Sequence, residues 1–138
     1  MDDEQVTEYS EKDIIGFVEP VAIFTSKRLK QVFNARVDTG ATKCSIDKKL
    51  VKEFKLGPII GETYVRNANG REKRDLIEIT FQIAHKTISE IFTVADRTDM
   101  VYPVLIGRNV LRKGFLIDPN KKTQSVPEDQ SSLEGFFN

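Results

Sequence analysis

Ala35-Arg36-Val37-Asp38-Thr39-Gly40-Ala41 is the stretch on which the fold turns. A strand-like run leads into an acid, then a hydroxyl, then a glycine. Such a loop can hold a carboxylate rigidly. Glycine lets the backbone turn so that an N–H faces the acid, and the threonine hydroxyl can lock the loop with a side-chain hydrogen bond. Alone, a strand ending in Asp and a turn is common and usually marks an ordinary turn acid.

Working outward, a second stretch matters: Val104-Leu105-Ile106-Gly107-Arg108-Asn109-Val110-Leu111. It is an apolar run, then Gly, then a helix start. Between the two lie short β-rich runs closed by turn residues. They are expected at Phe17–Phe24, Gln31–Val37, Thr63–Asn67, Leu76–Ala84 and Thr87–Val94. The clearest alternation places Ile77, Ile79, Phe81 and Ile83 on one face and Glu78, Thr80 and Gln82 on the other. Asn69-Gly70 predicts a tight turn with positive φ at both residues, at the tip of a projecting hairpin from about Glu62 to Phe81. Two short helices are predicted. One is Asp47–Phe54, with Asp47 as N-cap and Leu50, Val51 and Phe54 on one face; the other is Asn109–Lys113, ended by Gly114. His85, between two strands, reads as a turn residue, and Cys44 as a small buried hydrophobe.

An active-site-type loop, a hairpin, an apolar-apolar-Gly segment and a helix, in that order, form the skeleton of an aspartic-protease lobe. The chain resembles the retropepsins, the single-lobe aspartic proteases. It resembles one bacterial and archaeal family in particular, through Ile14-Ile15-Gly16 with Glu19, Arg36 to Ala41, and Arg66 through Asn69-Gly70 to Arg74. Asp96-Arg97 with Met100, Tyr102 to Arg108, and Phe115 to Pro119 continue the match, which covers residues 14–119. That family carries the label ATP-dependent zinc protease and has a retropepsin-like fold. Some members accompany ATP-grasp ligases that add glutamates to a ribosomal protein.

The resemblance implies a mostly β, closed-barrel lobe with two short helices, flanked by a leader over 1–13 and a tail over 120–138. It implies Asp38, Thr39 and Gly40 as the catalytic loop. Substrate would meet Ala41, the hairpin residues Arg66, Asn69, Gly70 and Arg74, and Ile106, Gly107 and Arg108. Pepsin-type catalysis uses two carboxylates about 3 Å apart that share one proton. This chain has one Asp-Thr-Gly. The expected enzyme is therefore a homodimeric aspartic endopeptidase, with Asp38 facing its symmetry mate and Thr39 bracing the loops across the axis. Retroviral enzymes place an acid just after Asp-Thr-Gly-Ala, paired with the Arg of the Gly-Arg-Asn segment. Here Thr42 stands there, so Arg108 is expected to use Asp47, Asp118 or substrate.

The hairpin is locally basic, with Arg66, Arg71, Lys73 and Arg74 against Glu72 and Asp75. That makes an acidic, glutamate-rich peptide the sharper substrate expectation. A solvated loop tip is the plainer one. The same fold also accommodates a non-catalytic binding module, or an accessory subunit for an ATP-grasp ligase system, with Asp38 as a structural turn acid.

The words zinc and ATP find no residues to support them. There is no His-Glu-x-x-His, only one His and one Cys, and no Gly-x-x-x-x-Gly-Lys-[Ser/Thr], so no cofactor and no metal are expected. Lys+Arg and Asp+Glu both number 21, which gives no overall pull towards nucleic acid or an acidic membrane. No apolar run approaches a membrane span, and the acidic start is not a secretory signal. A single cysteine allows no intrachain disulfide, so a reducing, cytoplasmic setting is the default. The tail closes on Phe136-Phe137, which could dock on the domain, meet a second subunit or stay free.

Overall fold

The computed structural model describes residues 11–25 and 29–122. Most of the expected leader and tail, Phe136-Phe137 included, lies outside the described residues. Nine strands are present among them: β1 (Asp13–Ile15), β2 (Val18–Phe24), β3 (Lys30–Val37), β4 (Cys44–Asp47), β5 (Ile59–Asn67), β6 (Gly70–Ile83), β7 (Lys86–Ala95), β8 (Val104–Ile106) and β9 (Phe115–Ile117). Two short helices are α1 (Lys48–Glu53) and α2 (Arg108–Leu111). No described helix is long and apolar enough to cross a membrane.

Six strands close a barrel in the order β2-β3-β8-β4-β7-β6, with β6 pairing back to β2. The retropepsin-like, mostly β lobe expected from the sequence is what the chain forms. Alternation drives the closure. Ile77, Ile79, Phe81 and Ile83 of β6 all face the interior and are essentially without solvent exposure. They meet Phe33, Ile46, Phe92, Val104 and Ile106 in one core, where Phe81 and Phe92 pack edge to face at 5.5 Å. Burying one such side chain contributes about 1.5–3 kcal/mol, so this inward row is what fixes the register of β6.

β6 is far longer than its barrel share. Residues from Leu76 onward pair with β7, whereas Gly70 to Asp75 pair only with β5. The hairpin β5–β6 therefore projects from the barrel. Its turn sits one residue earlier than expected. Asn67 pairs with Gly70, leaving Ala68-Asn69 as the two-residue tip, and only Gly70 takes positive φ, at 117°. Glycine thus follows the tip and sets the local twist there, which is a different use of the same residue.

Asp47 caps α1 through its carboxylate, which accepts from the Lys49 N–H at 3.3 Å. Leu50 is fully buried below, with Val51 and Phe54 packed against the core. α2 starts one residue earlier and ends two residues sooner than the sequence pattern implies. Lys113 closes it by donating to the Val110 carbonyl, and Gly114 turns the chain at φ 99°. Four strands escaped sequence reading: β1, β4, β8 and β9. At three or four residues, none is long enough to show a period.

Candidate active site

The barrel order itself builds the site. β3 and β8 run parallel with Val37 opposite Ile106, so the next residues, Asp38 and Gly107, leave the sheet side by side. The Asp38 N–H donates to the Ile106 carbonyl at 2.9 Å. The chain then crosses above β8 to enter β4 on its other side. This crossing loop is tied to the helix behind it: Arg108 N–H donates to the Ala41 carbonyl at 2.8 Å and Asn109 N–H to the Thr42 carbonyl at 3.2 Å. Gly107 is obligatory at the crossing. A Cβ there would lie 2.6 Å from the Lys43 carbonyl oxygen and 2.9 Å from that of Ala41.

Within the loop, Gly40 N–H donates to Asp38 Oδ1 at 2.8 Å, the arrangement expected of this triplet. The Asp38 carboxylate is half-buried, and Thr39 and Gly40 are exposed. The loop is not locked by the Thr39 hydroxyl, which has no hydrogen-bond partner among the described residues. Arg108 does that work. Its Nη1 donates to the Thr39 carbonyl at 3.0 Å and its Nη2 to Thr42 Oγ1 at 3.1 Å. Neither Asp47 nor Asp118 is its partner. Asp47 is occupied by the Lys49 and Arg97 N–H groups, and Asp118 accepts from Asn120 N–H.

Beside the loop a groove of about 410 Å³ opens beneath the projecting hairpin. Its floor is one row of the barrel's outer face: Thr93 of β7, Ser45 of β4 and Leu105 of β8 lie in register across three adjacent strands. Ala41, Thr42 and Lys43 form one wall. Thr63 to Arg66 of β5 and Arg74 of β6 overhang it, and Arg97 closes the far side. No acid lines this groove, against four cations.

Those cations are not equivalent. Arg74 is paired with Glu72 at 3.1 Å, and outside the groove Lys73 pairs with Glu62 at 2.7 Å while Arg71 stacks on the Tyr64 ring at 4.7 Å. Arg66 has no ion pair among the described residues. Arg97 donates Nε to the Tyr102 carbonyl at 3.0 Å. Burial pulls its guanidinium below the usual arginine range, against the pull of Asp47; Arg74 and Arg36 push it lower, and Asp38 raises it. Arg97 is thus a partly buried cation within electrostatic reach of Asp38.

The site residues expected from sequence divide accordingly. Ala41, Arg66 and Arg74 line the groove. Asn69 and Gly70 are exposed at the hairpin tip and Ile106 is fully buried, its carbonyl positioning Asp38. Gly107 and Arg108 hold the loop from behind. Ser45, Thr93 and Arg97 were not singled out as site residues. For Ser45 and Thr93 the signal is the polar phase of strands whose other phase is core, readable only once the strands are aligned, while Arg97, in the connection after β7, carries no local signal.

A zinc ion does not fit these residues. Cys44 is fully buried, its thiol pushed up to about 12 by burial, and Sγ lies 3.2 Å from Asn109 Oδ1 and accepts from Gly107 N–H. His85 stands on an exposed turn against Asp13. Among the described residues no three His, Cys, Asp or Glu side chains gather to hold a metal ion.

Among solved structures, EIAV protease bound to the inhibitor HBY-793 matches with a TM-score of 0.55 and 20% identity, over 70% of this chain and 85% of that one. A Legionella pneumophila protein of unknown function matches at 0.54 and 19%, over 80% and 96%. The simian foamy virus (mac) protease matches at 0.51 and 14%, over 69% and 91%. At these identities the likeness speaks for the fold. No curated protein sequence matches. The family model described as RimB-like, retropepsin-like aspartic endopeptidase RimB, matches residues 55–128, more than half of the 138-residue chain. With the Asp38 loop, the overhanging hairpin and the Gly107 crossing on one retropepsin-like barrel, the chain belongs to the RimB-like family of retropepsin-like aspartic endopeptidases.

Proposed function

We propose that this protein is a homodimeric aspartic endopeptidase of a reducing, cytoplasmic compartment, acting on acidic, glutamate-rich peptides. The observation that carries the reading is the half-buried Asp38 carboxylate, with Oδ1 held by the Gly40 N–H and its own N–H bonded to the Ile106 carbonyl. The carboxylate is thus fixed from within its loop while Oδ2 has no hydrogen-bond partner among the described residues, which leaves it open to a partner.

In the dimer, Asp38 from each subunit would share one proton. The ionised carboxylate takes a proton from water, whose oxygen attacks the scissile carbonyl carbon. The protonated one hydrogen-bonds the carbonyl oxygen and gives up its proton to it as the tetrahedral diol forms. Breakdown breaks the C–N bond, the amine leaves with a proton, and the shared-proton pair is restored. The Thr39 hydroxyl, unpartnered within the described chain, is free to bond across the axis. The β5–β6 hairpin would close over substrate, and the acid-free groove beneath it supports the preference for acidic peptides.

The test is cleavage of an unstructured, glutamate-containing peptide library between about pH 4 and 7, by wild type and Asp38→Asn, with EDTA controls and sedimentation on the same samples. Cleavage by a dimer, abolished in Asp38→Asn and indifferent to EDTA, is the expected result. No cleavage from a stable monomer would reject the peptidase and leave a binding or ligase-accessory module.

A further inference from the structure

The whole chain is electrically neutral, yet the groove beneath the hairpin gathers Lys43, Arg66, Arg74 and Arg97 with no acid among its lining residues. Two of its guanidinium groups make no ion pair among the described residues. Arg66 has no ion pair among the described residues, and Arg97 engages only Nε, leaving both terminal nitrogens without a partner there. Beneath them, Ser45 is 5% exposed, and its Oγ is a buried polar side-chain atom with no hydrogen-bond partner among the described residues. Thr93, next in the same row, already donates to the Cys44 carbonyl at 3.3 Å. A buried hydroxyl left unpaired is costly and calls for an explanation. So does a partly buried guanidinium that makes no ion pair among the described residues, Asp47 and Asp38 acting on it only from a distance.

One ligand group answers both. A carboxylate accepts two parallel hydrogen bonds from a guanidinium and has lone pairs left for a hydroxyl donor. We propose that Arg97 and Ser45, overhung by Arg66, form a pocket for a single carboxylate of the bound peptide, beside the Asp38 loop. This deepens the peptidase reading and rests on it, because the pocket then fixes which residue lies across the catalytic pair. The carboxylate comes either from an acidic side chain or from the peptide's own C-terminus. The first makes the enzyme an endopeptidase selective for acidic positions. The second confines it to bonds near a chain end.

The experiment measures equilibrium binding to the full-length Asp38→Asn protein, which leaves peptides intact. The probes are a glutamate-containing peptide, its glutamine counterpart with a free C-terminus, and the same glutamine peptide amidated. A side-chain carboxylate predicts about 10- to 100-fold weaker binding on changing one particular Glu to Gln. A terminal carboxylate predicts that loss on amidation instead. In either case the preference collapses in Arg97→Gln and shrinks in Ser45→Ala. Ser45→Ala removes an unpartnered hydroxyl and leaves the fold intact. Should Arg97→Gln unfold through loss of its Tyr102 contact, Arg66→Gln and Ser45→Ala decide the matter. Absence of a carboxylate preference in both arms, or a preference untouched in the folded variants, overturns the pocket. Failure of the peptidase reading appears separately, as absence of turnover by wild type while these affinities stand.

Discussion

Arg108 reaches back under the Asp38 loop and donates to the Thr42 hydroxyl at 3.1 Å. Where the retropepsin pattern leads one to expect an acid, the chain carries a neutral acceptor, and the arginine completes its fork on the Thr39 carbonyl at 3.0 Å. The loop is therefore held by hydrogen bonds to a neutral hydroxyl and a carbonyl and not by an ion pair. Thr42→Asp should convert one of these to a charged pair and stabilise the fold by up to about 1 kcal/mol at low salt, an effect screened away near 1 M. Urea midpoints at the two salt concentrations check this. A loss of stability at low salt would mean that the loop does not accept an acid there.

Gly107 is placed by the same crossing. Gly107→Ala would press a Cβ to 2.6 Å from the Lys43 carbonyl oxygen. Backbone neighbours cannot swing aside, so the cost should fall at or above the upper end of about 1–3 kcal/mol typical of overpacking. Because Gly107 leaves the sheet beside Asp38, peptidase activity should fall further than stability. Denaturant midpoints and turnover on one preparation test this. A variant of wild-type stability would disprove the close approach.

These two residues also show how far the sequence could be read. Asp38-Thr39-Gly40 and Gly107-Arg108-Asn109 announced the loop and its support, because both are contiguous and chemically distinctive. The strict alternation of Ile77, Ile79, Phe81 and Ile83 announced the barrel wall. Arg108's partner was not legible: Thr42 is an unexceptional residue, and only the parallel β3–β8 register brings the helix start beneath the loop. The groove was hidden for a similar reason. Ser45, Thr93 and Arg97 come from two strands and the connection after the second, and no local spacing links them. The hairpin's basic residues were visible, but not that Arg71, Lys73 and Arg74 are largely satisfied by Tyr64, Glu62 and Glu72, leaving Arg66.

Cys44 gives the alkaline edge of stability. Burial raises its thiol from 9.0 to about 12, so between these values the unfolded chain loses a proton that the folded chain keeps. Stability from this group is complete below about pH 9 and declines as pH rises towards 12, by up to about 1.4 kcal/mol per unit. Cys44→Ala should be less stable at neutral pH and show a flatter decline in this window. The native thiol should also resist iodoacetamide at pH 8 until the protein is unfolded. Rapid native alkylation would contradict its burial.

Glu90 sets an acidic limit. Burial alone would raise its carboxyl, but the Lys113 ammonium at 2.7 Å and the Ile91 N–H outweigh it and hold the group below 4.5. A depressed carboxylate contributes stability above the unfolded value, and that contribution is lost as pH falls through the folded one. The pair fastens the segment after α2 to β7. Glu90→Gln should cost about 0.5–1 kcal/mol at neutral pH, and the difference from wild type should shrink as pH falls below 4.5 and vanish once the folded-state carboxyl is protonated. Thermal midpoints across that range check the sign. A gap that widens on acidification would exclude the pair as its source.

Asp38 can be separated into a brace and a chemical group by two substitutions. Asn keeps an oxygen that can accept the Gly40 N–H now held at 2.8 Å, whereas Ala leaves that donor to water. Asp38→Asn should therefore match wild-type stability, and Asp38→Ala should lose about 1 kcal/mol. Activity should disappear from both, because neither side chain can exchange a proton with water and carbonyl. If Asp38→Asn retained turnover while Asp38→Ala lost it in proportion to stability, the carboxylate would be only a loop brace. Loss of turnover in a fully stable Asp38→Asn dimer would leave the carboxylate no role but chemistry.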